Sequence, residues 1–199
     1  MSKRIENKKQ KREALLCAAF DLFTSKGFQE TSISEIVEKS NMAKGTFYLY
    51  FKDKYDIRDR LIEEQARLLF DAASVELKKR KFATLEEEVI FIADSVIDKL
   101  NENKILLQFI SKNLSWGVFR DMLVTGRVED DNSFYDAYQD MIRQSGRSFR
   151  NTDLMLYMIV ELISSTCHNV ILKQEPVALE ELKPELYACI SDMIRRQEM

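Results

Sequence analysis

Between Thr31 and Lys54 the chain reads TSISEIVEKSNMAKGTFYLYFKDK, and its polar groups are spaced to grip an anionic surface, not to make or break bonds. Lys44 offers an ammonium, Thr46 a small hydroxyl, and Tyr48 and Tyr50 phenolic hydroxyls, all within two turns of one short helix. Such donors meet phosphate oxygens or base edges in a major groove. Gly45 stands among them, although glycine inside a helix costs roughly 1 kcal/mol against alanine; its missing side chain lets the backbone come close to another surface. Lys54 falls in the first turn of the next helix, where the macrodipole disfavours a cation, and a nearby phosphate would remove that penalty. With the hydroxyl of Ser32 at the start of the stretch, the expected DNA-contact set is Ser32, Lys44, Gly45, Thr46, Tyr48, Tyr50 and Lys54. No Gly-rich phosphate loop, no metal-spaced His/Cys set and no nucleophile with a candidate base accompanies them. Catalysis, a metal and a cofactor are therefore not expected.

The elements that must position these groups are legible around them. Ser32 followed three residues later by Glu35 is a capping box, and Ile33, Ile36 and Val37 give the helix it opens one apolar face. That helix should stop near Ser40-Asn41, because Asn tolerates the left-handed conformation of a sharp turn, with Met42 plugging the turn. A second helix over about 43–50 turns Phe47 inward, with Phe51 four residues on. Asp53 is placed to cap a third.

The strings Thr31-Ser32-Ile33-Ser34-Glu35-Ile36, Lys44-Gly45-Thr46-Phe47-Tyr48 and Tyr50-Phe51-Lys52-Asp53-Lys54 resemble the helix-turn-helix of the TetR family of bacterial transcriptional regulators. The resemblance covers about the first quarter of the chain. Val37 and Ser40 stand where that family usually has alanines, Asn41-Met42-Ala43 replaces its common Gly-Val-Ser, and Leu49 holds a position often given to His. Ala43 lacks the hydroxyl a serine would offer and is left out of the contact set. The resemblance implies a homodimer whose last two long helices pair with their symmetry mates as a four-helix bundle.

Composition reads as that of a soluble helical protein. The 199 residues include only five glycines and two prolines, with 45% hydrophobic and 32% charged residues and a formal net charge of −3. Residues 1–54 hold 11 Lys+Arg against 7 Asp+Glu, while the remainder holds 19 against 26. A basic head on an acidic body follows. Cys17, Cys167 and Cys189 lack CxxC spacing and read as reduced, buried thiols. No apolar run approaches the ~18 residues of a membrane span, and no signal-peptide core follows the basic N-terminus. A cytoplasmic protein that engages no membrane is expected.

The rest reads as helices. Residues 1–12 carry six basic groups and read as a mobile arm leading into a helix with Leu15, Ala19, Leu22 and Phe23 on one face, stopped at Gly27. A long helix from Lys54 to about Lys79 joins head to body. Others cover 85–101 with Thr84 and Glu87 as a second capping box, an apolar and aromatic stretch at 104–125, about 132–144, 152–173 capped by Asn151 or Thr152, and 179–197 with Pro184 inside. Aromatic and methionine side chains in the middle of the body could line an apolar cavity, and Phe109, Trp116, Phe119, Met122, Tyr138 and Glu161 are the candidates. Such side chains are mostly ordinary core, and Glu161 reads first as an acid on an exposed stripe. The lone His168 reads as structural or solvent-exposed.

The expected fold is all-α: a three-helix DNA-binding head over residues 1–54, with the helix-turn-helix at about 32–51, and a helical effector-binding and dimerisation body over 55–199. The expected function is a repressor that leaves a palindromic operator when an apolar or aromatic small molecule binds. A DNA-binding adaptor whose body holds a protein partner is the alternative.

Overall fold

The computed structural model describes residues 3–113 and 134–199. Its described secondary structure is helical, apart from one isolated antiparallel bridge between Phe149 and Glu198. It divides into two units, Met1–Glu64 and Gln65–Met199. The division falls inside a helix, ten residues beyond the boundary expected from sequence. The reason is apolar: Ile57, Leu61 and Ile62 of that helix are buried with the head residues.

In the head, α1 (Lys3–Ser25) begins where a mobile arm was expected, so the basic residues 8–12 lie on helix. Leu15, Leu16, Ala18, Ala19 and Phe23 are buried, while Phe20 and Phe28 are only half-buried. Burial of each large apolar side chain stabilises the head by about 1.5–3 kcal/mol. Gly27 ends the segment with φ 99°, a left-handed turn that glycine enters without strain. Thr31, only 2% exposed, donates its hydroxyl back to the Gly27 carbonyl at 2.8 Å.

The capping box of α2 (Ile33–Lys39) is formed in both directions. The Glu35 amide donates to Ser32 Oγ at 3.2 Å, and the Ser32 amide donates to Glu35 Oε2 at 2.8 Å. Asn41 takes φ 54° and the Met42 amide reaches the Val37 carbonyl at 2.8 Å, so the turn closes as its residue types require. Then follow α3 (Lys44–Tyr48) and α4 (Lys54–Leu77). Asp53 Oδ1 accepts from the amides of Tyr55 at 2.8 Å and Asp56 at 2.9 Å, capping α4 as read from sequence.

In the body, α5 (Leu85–Glu102) buries Leu85, Val89, Ile92, Val96 and Leu100, one apolar stripe at helical spacing. Thr84 caps it, but the Glu87 carboxylate accepts from the Ala83 amide, one residue before the box position. Next are α6 (Lys104–Asn113), α7 (Phe134–Gln144), α8 (Thr152–Lys173) and α9 (Leu179–Gln197). Asn151 caps α8 through the Leu154 amide at 2.9 Å. By length and composition α8 could cross a membrane, contrary to the sequence expectation. Met155, Leu156, Ile159, Cys167, Val170 and Ile171 are instead buried as α8 packs on α5, α6 and α9. Cys167 alone of the three free thiols is buried; Cys17 and Cys189 are exposed, because they fall on the outer faces of α1 and α9.

Charged groups tie the last residues down. Arg147 donates to both oxygens of Glu198, at 2.8 and 2.7 Å, and to Glu86 Oε2 at 2.9 Å. Backbone bonds from Arg150 to Gln197 and from Met199 to Ser148 complete the clip.

Candidate nucleic-acid interface and ligand cavity

Phe47 and Phe51, 0% and 2% exposed, anchor α3 to the head core with their rings 5.6 Å apart. That anchoring decides which residues face out. Lys44, Gly45, Tyr48 and Leu49 are exposed, and Thr46 and Tyr50 are half-buried. Gly45 has an ordinary helical backbone, and a Cβ built there would meet nothing within 4 Å. The fold therefore does not require glycine at 45, and the vacant space faces away from the protein. Ala43 is the N-cap of α3 and makes no side-chain cap.

Two expected contact residues are engaged within the head. The Ser32 hydroxyl serves the capping box, accepting from the Glu35 amide and donating to the Glu35 carboxylate at 2.8 Å. Lys54 is engaged more fully. Its Nζ donates to the carbonyls of Phe28 at 2.9 Å, Gln29 at 3.2 Å and Thr31 at 2.9 Å, and lies 4.5 Å from the Phe28 ring centroid. Three carbonyls and a ring face offset the macrodipole penalty for which a phosphate was expected, and all three ammonium donors are in use.

Charge pairs brace α2 against α1. Lys39 meets Asp21 at 3.1 Å, and Lys26 pairs with Glu35. The hydrogen bond from Lys26, followed by those of Ser32, holds the Glu35 carboxyl down at about 2.

The body contains a cavity of about 110 Å³ walled by α4 to α8, with Leu69, Ile92, Val96, Leu107 and Ile159 among its lining. Among the described residues no charged side chain contributes to the wall. Tyr138 lines it as expected, but its hydroxyl donates to the Thr152 carbonyl at 2.8 Å, leaving the ring as the lining surface. Burial pushes both the Tyr138 hydroxyl and the Cys167 thiol up from their ordinary pKa values, so both stay neutral. Phe109 is buried but is not part of the wall. Glu161 is exposed on α8, outside the cavity, because the helical turn that buries Ile159 carries residue 161 outward. Trp116, Phe119 and Met122 lie outside the described residues.

Sequence reasoning missed the other wall residues because they are members of ordinary core stripes. Nothing in their types marks the space left between helices. Among the described residues no group of three or more His, Cys, Asp or Glu is placed to hold a metal.

Residues 15–61 match the family described as bacterial regulatory proteins, tetR family. The fatty acid metabolism regulator protein of Bacillus subtilis (strain 168) is 27% identical over 88 residues, 44% of each chain. The transposon Tn10 TetC protein of Escherichia coli is 30% identical over 129 residues, 62% of this chain and 64% of that one. The chain thus spans about half the length of the curated relatives it matches. Among solved structures, the transcriptional regulator FadR from Bacillus subtilis in complex with stearoyl-CoA superposes with a TM-score of 0.63 at 19% identity, covering 89% of this chain and 96% of the other.

Proposed function

Because residues 15–61 of this chain belong to the tetR family of bacterial regulatory proteins, we propose that it acts in the cytoplasm as a homodimeric, sequence-specific repressor. An apolar effector entering the body cavity releases it from a roughly palindromic operator. The observation that carries the reading is the outward face of α3, where Lys44, Gly45 and Tyr48 stand exposed behind a helix fixed by its own capping box. Thr46 and Tyr50 flank that face and supply hydroxyls for the phosphate backbone. Two copies of α3 enter successive major grooves about 34 Å apart. Leu154 and Met158, apolar and 43% and 37% exposed on α8, support pairing of this helix with a second copy.

The effector reading rests on the cavity. Its uncharged wall suits hydrocarbon or an aromatic ring, and an apolar space of comparable size, about 150 Å³, is enough to bind benzene in another protein. The Bacillus subtilis FadR is in complex with stearoyl-CoA, which makes an acyl group short enough for this cavity one ligand class to test. Ala66, Leu69 and Phe70 of α4 line the cavity, and the first turns of the same helix belong to the head. Occupancy is thereby coupled to the reading helix, with a coupling free energy of about 1–3 kcal/mol typical of such sites. The apolar cavity also favours a small molecule over a protein partner for the body.

A polarisation titration against the DNA flanking the coding sequence, at two salt concentrations with nonspecific competitor, tests the proposal. Tight binding that survives competitor is expected. Binding that disappears with competitor across all flanking duplexes would refute sequence-specific recognition there.

A further inference from the structure

Among the described residues of the head, Leu49 is the most exposed large apolar side chain, and the donor set leaves its chemistry unused. It is 78% exposed, against 53% for Tyr48 beside it. Its backbone continues the helix at φ −75° and ψ −19°, so the helical register runs through it. Four residues separate it from Gly45, which puts both on one stripe of α3. Buried Phe47 and Phe51 hold that stripe outward, and the space over Gly45 is open.

We propose that Leu49 is a base-reading residue: its methyl groups pack against a C5-methyl group on the floor of the major groove, and Gly45 allows the approach that the contact needs. The proposal rests on the DNA-binding reading above. The occupant is duplex DNA, because the stripe is flanked by Lys44 and lies in a head with 11 Lys+Arg against 7 Asp+Glu over residues 1–54. Most groove-edge groups are hydrogen-bond donors or acceptors, with which an isobutyl group forms no bond; the C5-methyl of thymine is the apolar exception. 5-Methylcytosine carries the same group, so the recognised chemistry is the methyl itself.

The test uses the full chain and a duplex that it selects from a randomised pool. Each dT is replaced singly by dU, which deletes one methyl and preserves pairing; each dC is replaced in parallel by 5-methyl-dC. At one position in each half-site the parent should lose about three- to fivefold in affinity on dT→dU. Leu49→Ala should bind the selected duplex about tenfold more weakly, with an unchanged melting temperature, and be indifferent to that replacement. Leu49→Met should restore the sensitivity. A gain on 5-methyl-dC, present in the parent and absent in Leu49→Ala, would support the proposal with methylated cytosine as the source. A parent insensitive to every methyl deletion, or a Leu49→Ala variant that keeps the parent's sensitivity, would overturn it. Failure of the parent to select any duplex would overturn the DNA-binding reading, and this contact with it.

Discussion

Glu35 and Lys54 are charged residues whose partners make them parts of the head's framework. The Glu35 carboxyl sits at about 2 in the folded head against 4.5 for the free group, held there first by Lys26 and then by Ser32. A folded value below the unfolded one makes its stabilising contribution complete above pH 4.5, with loss as pH falls towards 2. Thermal melts of Glu35→Gln and the parent should therefore differ most at neutral pH and converge across that window. A difference that stays constant from pH 4.5 to 2 would show that the carboxylate does not carry the effect. Lys54 makes three carbonyl bonds, and hydrogen bonds to charged groups commonly contribute about 1.5–3 kcal/mol. Lys54→Ala should lower head stability by about 2 kcal/mol. Its DNA affinity should keep the parent's salt dependence; a slope reduced by about one unit would restore Lys54 to the phosphate contacts.

At the scale of the element, α3 has only five residues, and its geometry comes from its flanks. Isolated helices shorter than ~12 residues are marginal in water, so Phe47 and Phe51 in the core and the Asn41 turn decide its orientation. Gly45 is the position at which folding and the proposed binding can be separated. Since a Cβ at 45 meets nothing within 4 Å, Gly45→Ala should leave stability unchanged or raise it by up to about 1 kcal/mol. Operator affinity should fall in the same variant. Loss of stability by calorimetry would mean the glycine serves the fold, and unchanged affinity by polarisation would mean that no surface approaches it. The opposite fate met residues 3–12, read from sequence as a mobile arm and found on α1, where no local signal marks the helix start.

At the scale of the whole molecule, the regulation proposed for this chain depends on space that no single helix contains. The cavity arises where α4 to α8 fail to fill about 110 Å³ between their apolar stripes. Ala93 is 4% exposed and lines it, so Ala93→Leu should fill part of the space. Stability should change by no more than about 1.5 kcal/mol, and uptake of an uncharged apolar dye should be lost while operator binding persists. Dye binding equal to the parent's would place the ligand elsewhere. The basic head and acidic body should also give DNA affinity that falls steeply with salt although the net charge is −3.

Local features were legible in the sequence because their partners lie within a few residues. Ser32 and Glu35 are three apart, Asp53 caps the next two amides in reach, and Asn41 and Gly27 act through their own backbone angles. The helix-turn-helix and the outward placement of Lys44, Gly45 and Tyr48 follow from such signals, as does the all-α fold from its stripes. Lys54 could not be read this way, since its carbonyl partners stand 23 to 26 residues earlier. Arg147 meets Glu198 and Glu86 across 51 and 61 residues. Glu161 and Phe109 were proposed for a cavity by type, but lining a cavity is a matter of direction, set by which face each helix turns to its neighbours. Sequence determined the elements through short-range hydrogen bonds and apolar period; tertiary packing alone decided which side chains share a space and which charges are already paired.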